Sequence, residues 1–128
     1  MSGDSLHILL IEDNPGDARL LVELLREADG SCTAHGAQTL AQALAMLDGL
    51  APDAILLDLS LPDSSGMDTL HRMLAAAPSV PVVVLTGLDE SLGVEAVRLG
   101  AQDYMVKGQV DHRLLLRSLR YAMERNKA

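Results

Sequence analysis

Five short apolar runs, each followed by a longer stretch with helical spacing, constrain this chain more than any other feature. The runs fall at residues 6–11, 32–36, 54–57, 82–85 and 104–106. Segments this short and apolar read as strands covered on both faces. The Val-Val-Val-Leu run at 82–85 is the most β-prone, and the run at 32–36 is the weakest. Between them lie helical stripes: Leu20, Leu21, Leu24 and Leu25; Leu40, Ala43, Leu44 and Leu47; Met67, Leu70, Met73 and Leu74; then Leu92, Val94, Ala96, Val97 and Leu99. A last helix is expected from His112 to about Asn126. Asn14 can cap the first helix, Pro15 suits its first position, and Asp17 faces its positive end. Gly49 with Pro52, Pro78 and Gly100 end the next three.

Strands alternating with helices of this length imply right-handed crossovers and a parallel sheet. The expected fold class is therefore α/β: one doubly wound, five-stranded parallel sheet with helices on both faces, in flavodoxin-like order 2-1-3-4-5. The 128 residues, 48% hydrophobic, suffice for one domain with its own core and no linker. That core lacks Phe and Trp; the only aromatic side chains besides histidine are Tyr104 and Tyr121. A formal net charge of −8 disfavours direct binding to nucleic acid or anionic membrane. The single cysteine, Cys32, permits no intrachain disulfide and fits a reducing cytoplasm. Residues 1–5 do not resemble a signal peptide, and no run has the length of a membrane span.

The apolar runs end in polar residues on the same side each time. Glu12-Asp13 follow the first, Asp58 the third, Thr86-Gly87 the fourth and Lys107-Gly108 the fifth. In an open parallel sheet, ligands bind beyond the carboxyl ends of the strands, at the switch point of the strand order. The expected order makes Asp13 and Asp58 neighbours there. Three carboxylates in one cleft repel unless a cation joins them, and a hard divalent ion that prefers oxygen fits them. Lys107 adds a positive charge and Thr86 a hydroxyl. Together these groups could neutralise and orient a phosphoryl group, with Asp58 as its covalent acceptor.

At these residues the chain resembles, from end to end, the receiver domains of response regulators in two-component systems. The acidic pair Glu12-Asp13, the loop Asp58-Leu59-Ser60-Leu61-Pro62-Asp63-Ser64-Ser65-Gly66, Thr86-Gly87, Tyr104 and Lys107 carry the resemblance. It implies that Asp13 and Asp58 bind Mg²⁺ (or Mn²⁺) directly, with the backbone carbonyl of Ser60, while Glu12 acts through a metal-bound water. It implies that Lys107 contacts the phosphoryl oxygens, that the Gly87 backbone borders them, and that Thr86 and Tyr104 move as a switch. A sensor histidine kinase or phosphotransfer protein is the implied donor, and the domain itself is not an enzyme. Two departures stand out. Lys107 is followed by Gly108 where the family usually has proline, and the acidic pair begins with Glu12 where many members have Asp. Leu88, two residues beyond Thr86, is expected to slow loss of the phosphoryl group.

Two other readings compete. A pseudo-receiver would signal through the same fold without phosphate, and Gly108 favours it. A flavin-binding protein would want a phosphate-binding loop and aromatic stacking where this chain has acids. The four histidines show no metal-ligand spacing. Arg113, Arg117, Arg120, Arg125 and Lys127 supply five of the ten basic residues within the final sixteen. Residues 120–128 resemble the start of a helix linking a receiver to an output domain, and an exposed face of the fourth and fifth units is compatible with a symmetric homodimer without requiring one.

Overall fold

The computed structural model describes residues 5–87 and 90–127. Leu88 lies outside them, so its expected effect on phosphoryl lifetime has no structural counterpart. The elements are β1 (Leu6–Ile11), α1 (Pro15–Ala28), β2 (Cys32–Ala37), α2 (Leu40–Leu50), β3 (Ala54–Asp58), α3 (Met67–Ala76), β4 (Val82–Thr86), α4 (Glu90–Arg98), β5 (Asp103–Val106) and α5 (His112–Lys127). The strands form one parallel sheet in the order β2-β1-β3-β4-β5. This is the doubly wound arrangement expected from the alternation of runs.

Alternation along each strand sends side chains to two separate cores. Leu9, Ile11, Ile55, Leu57, Val82 and Val84 meet Leu40, Leu70, Met73 and Ala96 on the face of α2, α3 and α4. Ile8, Leu10, Leu56, Val83, Leu85 and Met105 meet Leu21, Leu25, Leu115 and Leu119 on the face of α1 and α5. Every residue of β3 and β4 is buried, as expected of central parallel strands. Each large aliphatic side chain so buried stabilises the fold by about 1.5–3 kcal/mol.

The fourth helix corrects a detail of the sequence pattern. Its large apolar residues, and Leu99 just beyond it, do not face the core: Leu92, Val94, Val97 and Leu99 are at least 36% exposed. The buried positions are Gly93 and Ala96. Two residues this small let α4 lie close to the sheet, and the bulky side chains are left outside.

The loop after β3 adds a two-residue antiparallel ladder, Ser60 to Ser65 and Leu61 to Ser64. Gly66 then starts α3 with φ of +69°, a left-handed conformation that favours glycine. Within this loop Asp63 reaches back to cap α2, accepting from Leu40 N at 2.9 Å and Ala41 N at 3.0 Å. These two backbone hydrogen bonds hold its carboxyl below the usual carboxylate range. A lowered folded pKa means the capping contribution is whole above the unfolded value of 3.8. It is lost as pH falls through the folded value. Asp63→Ala is therefore expected to lower the melting temperature at pH 7, and the gap from wild type should close on acidification. Thermal unfolding of both proteins across that range checks it; a gap independent of pH contradicts the capping role.

Candidate functional site

β1 and β3 are adjacent, with Ile11 opposite Leu57, so the residues that follow them meet. Glu12 and Asp58 are buried, at 2% and 4% exposure, while Asp13 is exposed. Carboxylate oxygens from Glu12, Asp13 and Asp58 all lie within 4.8 Å of one another. Local bonds fix two of the three. Ser60 N donates to Asp58 Oδ1 at 2.9 Å, and Asn14 N donates to Glu12 Oε2 at 3.1 Å. Asn14 in turn caps α1, its Oδ1 accepting from Asp17 N at 3.0 Å.

Lys107, just past β5, brings the opposing charge. Its Nζ lies 2.9 Å from Asp58 Oδ2, 2.6 Å from Glu12 Oε1 and 3.4 Å from Asp17 Oδ2. The lysine reaches this point although glycine follows it. Lys107–Gln109 form a single 3-10 turn, and no peptide bond among the described residues is cis. Burial alone would favour a neutral lysine, but its hydrogen bonds to Asp58 and Glu12 outweigh burial and hold it charged. Burial pushes the Glu12 carboxyl up to about 7, with Asp58 adding to the rise while Lys107 and Asn14 N oppose it.

The donor set suits a hard divalent cation. It consists of oxygens from three carboxylates and carries more negative charge than one ammonium neutralises. Glu12 Oε1 is buried, and its partner among the described residues is the Lys107 ammonium, 2.6 Å away. Ser60 stands beside Asp58 through its N–H.

Thr86, at the end of β4, is buried, and its Oγ1 lies 3.5 Å from Met105 O. Gly87 follows it in a bend. Tyr104 pairs with Val84 in the sheet, so Tyr104 and Thr86 project on the same face, beneath α4. Its ring lies along α4, with its hydroxyl 3.5 Å from Glu90 Oε1.

The structure thus brings Glu12, Asp13, Asp58 and Lys107 together, with Ser60 against Asp58. Thr86 and Tyr104 lie on the flank toward α4. It also adds Asp17, which in the sequence had only the look of a first-turn acid. Its approach to Lys107 spans 90 residues, and only the topology reveals it.

Residues 8–120 match the family described as the response regulator receiver domain. The regulatory protein LuxO of Vibrio cholerae is 37% identical over 99 residues, covering 77% of this chain and 21% of LuxO. The transcriptional regulatory protein DpiA of Escherichia coli is 37% identical over 103 residues, covering 80% of this chain and 46% of DpiA. A response regulator receiver domain protein from Clostridium thermocellum superposes with a TM-score of 0.82 at 25% identity, covering 95% of this chain and 97% of that one. NtrX from Brucella abortus does so with a TM-score of 0.82 at 28% identity, covering 96% of this chain and 28% of NtrX. The chain therefore belongs to the response regulator receiver domain family. Accepting a phosphoryl group in two-component signalling is that family's function. This chain spans less than half the length of these curated relatives, which are regulators of greater length.

Proposed function

We propose that Asp58 is the phosphoryl acceptor of this receiver, served by Lys107 and a divalent cation. The observation that carries this reading is the Lys107 ammonium 2.9 Å from a buried Asp58 carboxylate that also shares its cleft with Glu12 and Asp13. A carboxylate oxygen of Asp58 attacks the phosphorus of a phosphohistidine on a sensor kinase or phosphotransfer protein. The new O–P bond forms as the P–N bond breaks, and the electron pair leaves on the imidazole nitrogen. Lys107 neutralises charge on the transferring oxygens, and the Gly87 backbone borders them. Asp13, Asp58 and the Ser60 carbonyl would hold Mg²⁺ or Mn²⁺, with Glu12 acting through a bound water. When bound, the ion supplies positive charge that offsets the phosphoryl oxygens.

Thr86 turns toward the acquired phosphoryl group and Tyr104 follows, shifting a two-state equilibrium in the surface of α4, β5 and α5. The exposed apolar residues of α4 make that surface suited to a partner or a second copy. The domain transfers phosphate onto itself and is not an enzyme in the ordinary sense. It acts in the cytoplasm on an output domain, linked through residues 120–128 or separate, without direct contact to nucleic acid. Among the described residues no helix is long and apolar enough to cross a membrane.

The cation part of this reading is tested by Mg²⁺ titration followed through amide resonances. Asp13→Asn is expected to weaken binding by about tenfold or more. Equal affinity in the two proteins would remove Asp13 from the ligand set.

A further inference from the structure

We propose that Gly93 is a positioning residue for the switch: its missing side chain lets the Tyr104 ring rest against α4, and this seat sets the resting population. The inference rests on the phosphoryl-acceptor reading and adds a regulatory element to it. A Cβ built on Gly93 would meet Tyr104 Cδ2 at 2.2 Å, Cγ at 2.4 Å and Cε2 at 2.8 Å. Real side chains do not tolerate such distances. Spinning the ring about χ2 gives no relief, because Cγ lies on that axis and stays where it is. Only a change of χ1, to another staggered rotamer, clears the space. Moving α4 instead would lift Ala96, which is fully buried, off the core.

The half-buried ring also packs against the core on that face of the sheet. Its hydroxyl makes one long, exposed contact, 3.5 Å to Glu90 Oε1. The Glu90 carboxylate is three residues before Gly93, so the ring lies along one face of α4. The seat coexists with Lys107 paired to Asp58 and with Thr86 directed at Met105 O. It therefore belongs to the unphosphorylated arrangement. Occupying the seat with a methyl group removes that rotamer from the resting ensemble. The equilibrium then moves toward conformers in which the ring is already displaced.

The chain makes the test clean. Tyr104 and Tyr121 are its only tyrosines, and Phe and Trp are absent. Tyr121 is 62% exposed on α5 beside Arg125, so its ring signals serve as a reference. Ring NMR of unphosphorylated Gly93→Ala should show Tyr104 signals displaced from wild type and Tyr121 signals unmoved. Phosphoryl uptake from acetyl phosphate with Mg²⁺ should quicken by roughly threefold or more. In a Tyr104→Ala background, adding Gly93→Ala should leave uptake unchanged. It should also raise the melting temperature, since alanine then brings only its better helix propensity.

Unmoved Tyr104 signals in Gly93→Ala would overturn the seat, and unchanged or slower uptake would overturn its regulatory role. A wild type that takes up no phosphoryl group would refute the acceptor reading and the regulatory role. The ring signals would still decide whether Gly93 positions Tyr104.

Discussion

Lys107→Met is expected to lower the stability of the metal-free protein by about 2–4 kcal/mol and to cut phosphoryl uptake by about a hundredfold or more. Methionine keeps most of the apolar stem but removes the ammonium. Glu12, with its side chain fully buried, and Asp58, 6% exposed, would then face each other without a cation. Removing one partner of a buried ion pair leaves the other charge uncompensated, and that is the costly event. The lysine side chain is itself 22% exposed, which keeps the expected cost below that of a wholly buried pair. Saturating Mg²⁺ should restore part of the loss, because it binds the folded cleft and not the unfolded chain. Urea unfolding with and without Mg²⁺ reads both effects. Coincident midpoints for variant and wild type in metal-free buffer would mean the cleft does not depend on Lys107.

Asp58→Asn is expected to abolish phosphoryl uptake while leaving the protein folded. The amide has nearly the volume of the carboxylate, so β3 and its neighbours need not rearrange. Its oxygen can still accept from Ser60 N, the bond that fixes Asp58 Oδ1 at 2.9 Å. What it lacks is an anionic oxygen able to form an acyl phosphate. Asp13 does not replace it. That carboxylate is exposed, and Lys107 Nζ pairs with Asp58, Glu12 and Asp17 instead. Incubation with acetyl phosphate and Mg²⁺ should leave a hydroxylamine-labile phosphate on wild type and none on the variant. Equal labelling of both proteins would place the acceptor elsewhere.

The fold could be read from the sequence where one local rule sufficed. The first run coincides with β1, and Asn14 caps α1 as its side-chain chemistry suggests. The acidic cleft was legible because parallel strands all end on the same edge of the sheet, so Glu12-Asp13 and Asp58, at the ends of adjacent strands, meet there. Contacts that join distant segments without periodicity were not legible. Asp63 stood in the sequence only as part of the loop after the third run, yet it caps α2 at Leu40 and Ala41, 23 and 22 residues earlier. Asp17 meets Lys107 only after the whole sheet has formed. In α4 the expected apolar positions were Leu92, Val94, Ala96, Val97 and Leu99, and of these Ala96 alone is buried, together with Gly93. Hydrophobicity does not report where a helix must come close, and small size does.

Intact mass spectrometry after incubation with acetyl phosphate tests the acceptor assignment most directly, run with Mg²⁺ and with a chelator on wild type and Asp58→Asn. The expected result is a gain of one phosphoryl group on wild type that requires the cation, with no gain on the variant. No gain on a folded, Mg²⁺-binding wild type would contradict the acceptor reading and turn attention to Gly108 and to signalling without phosphate.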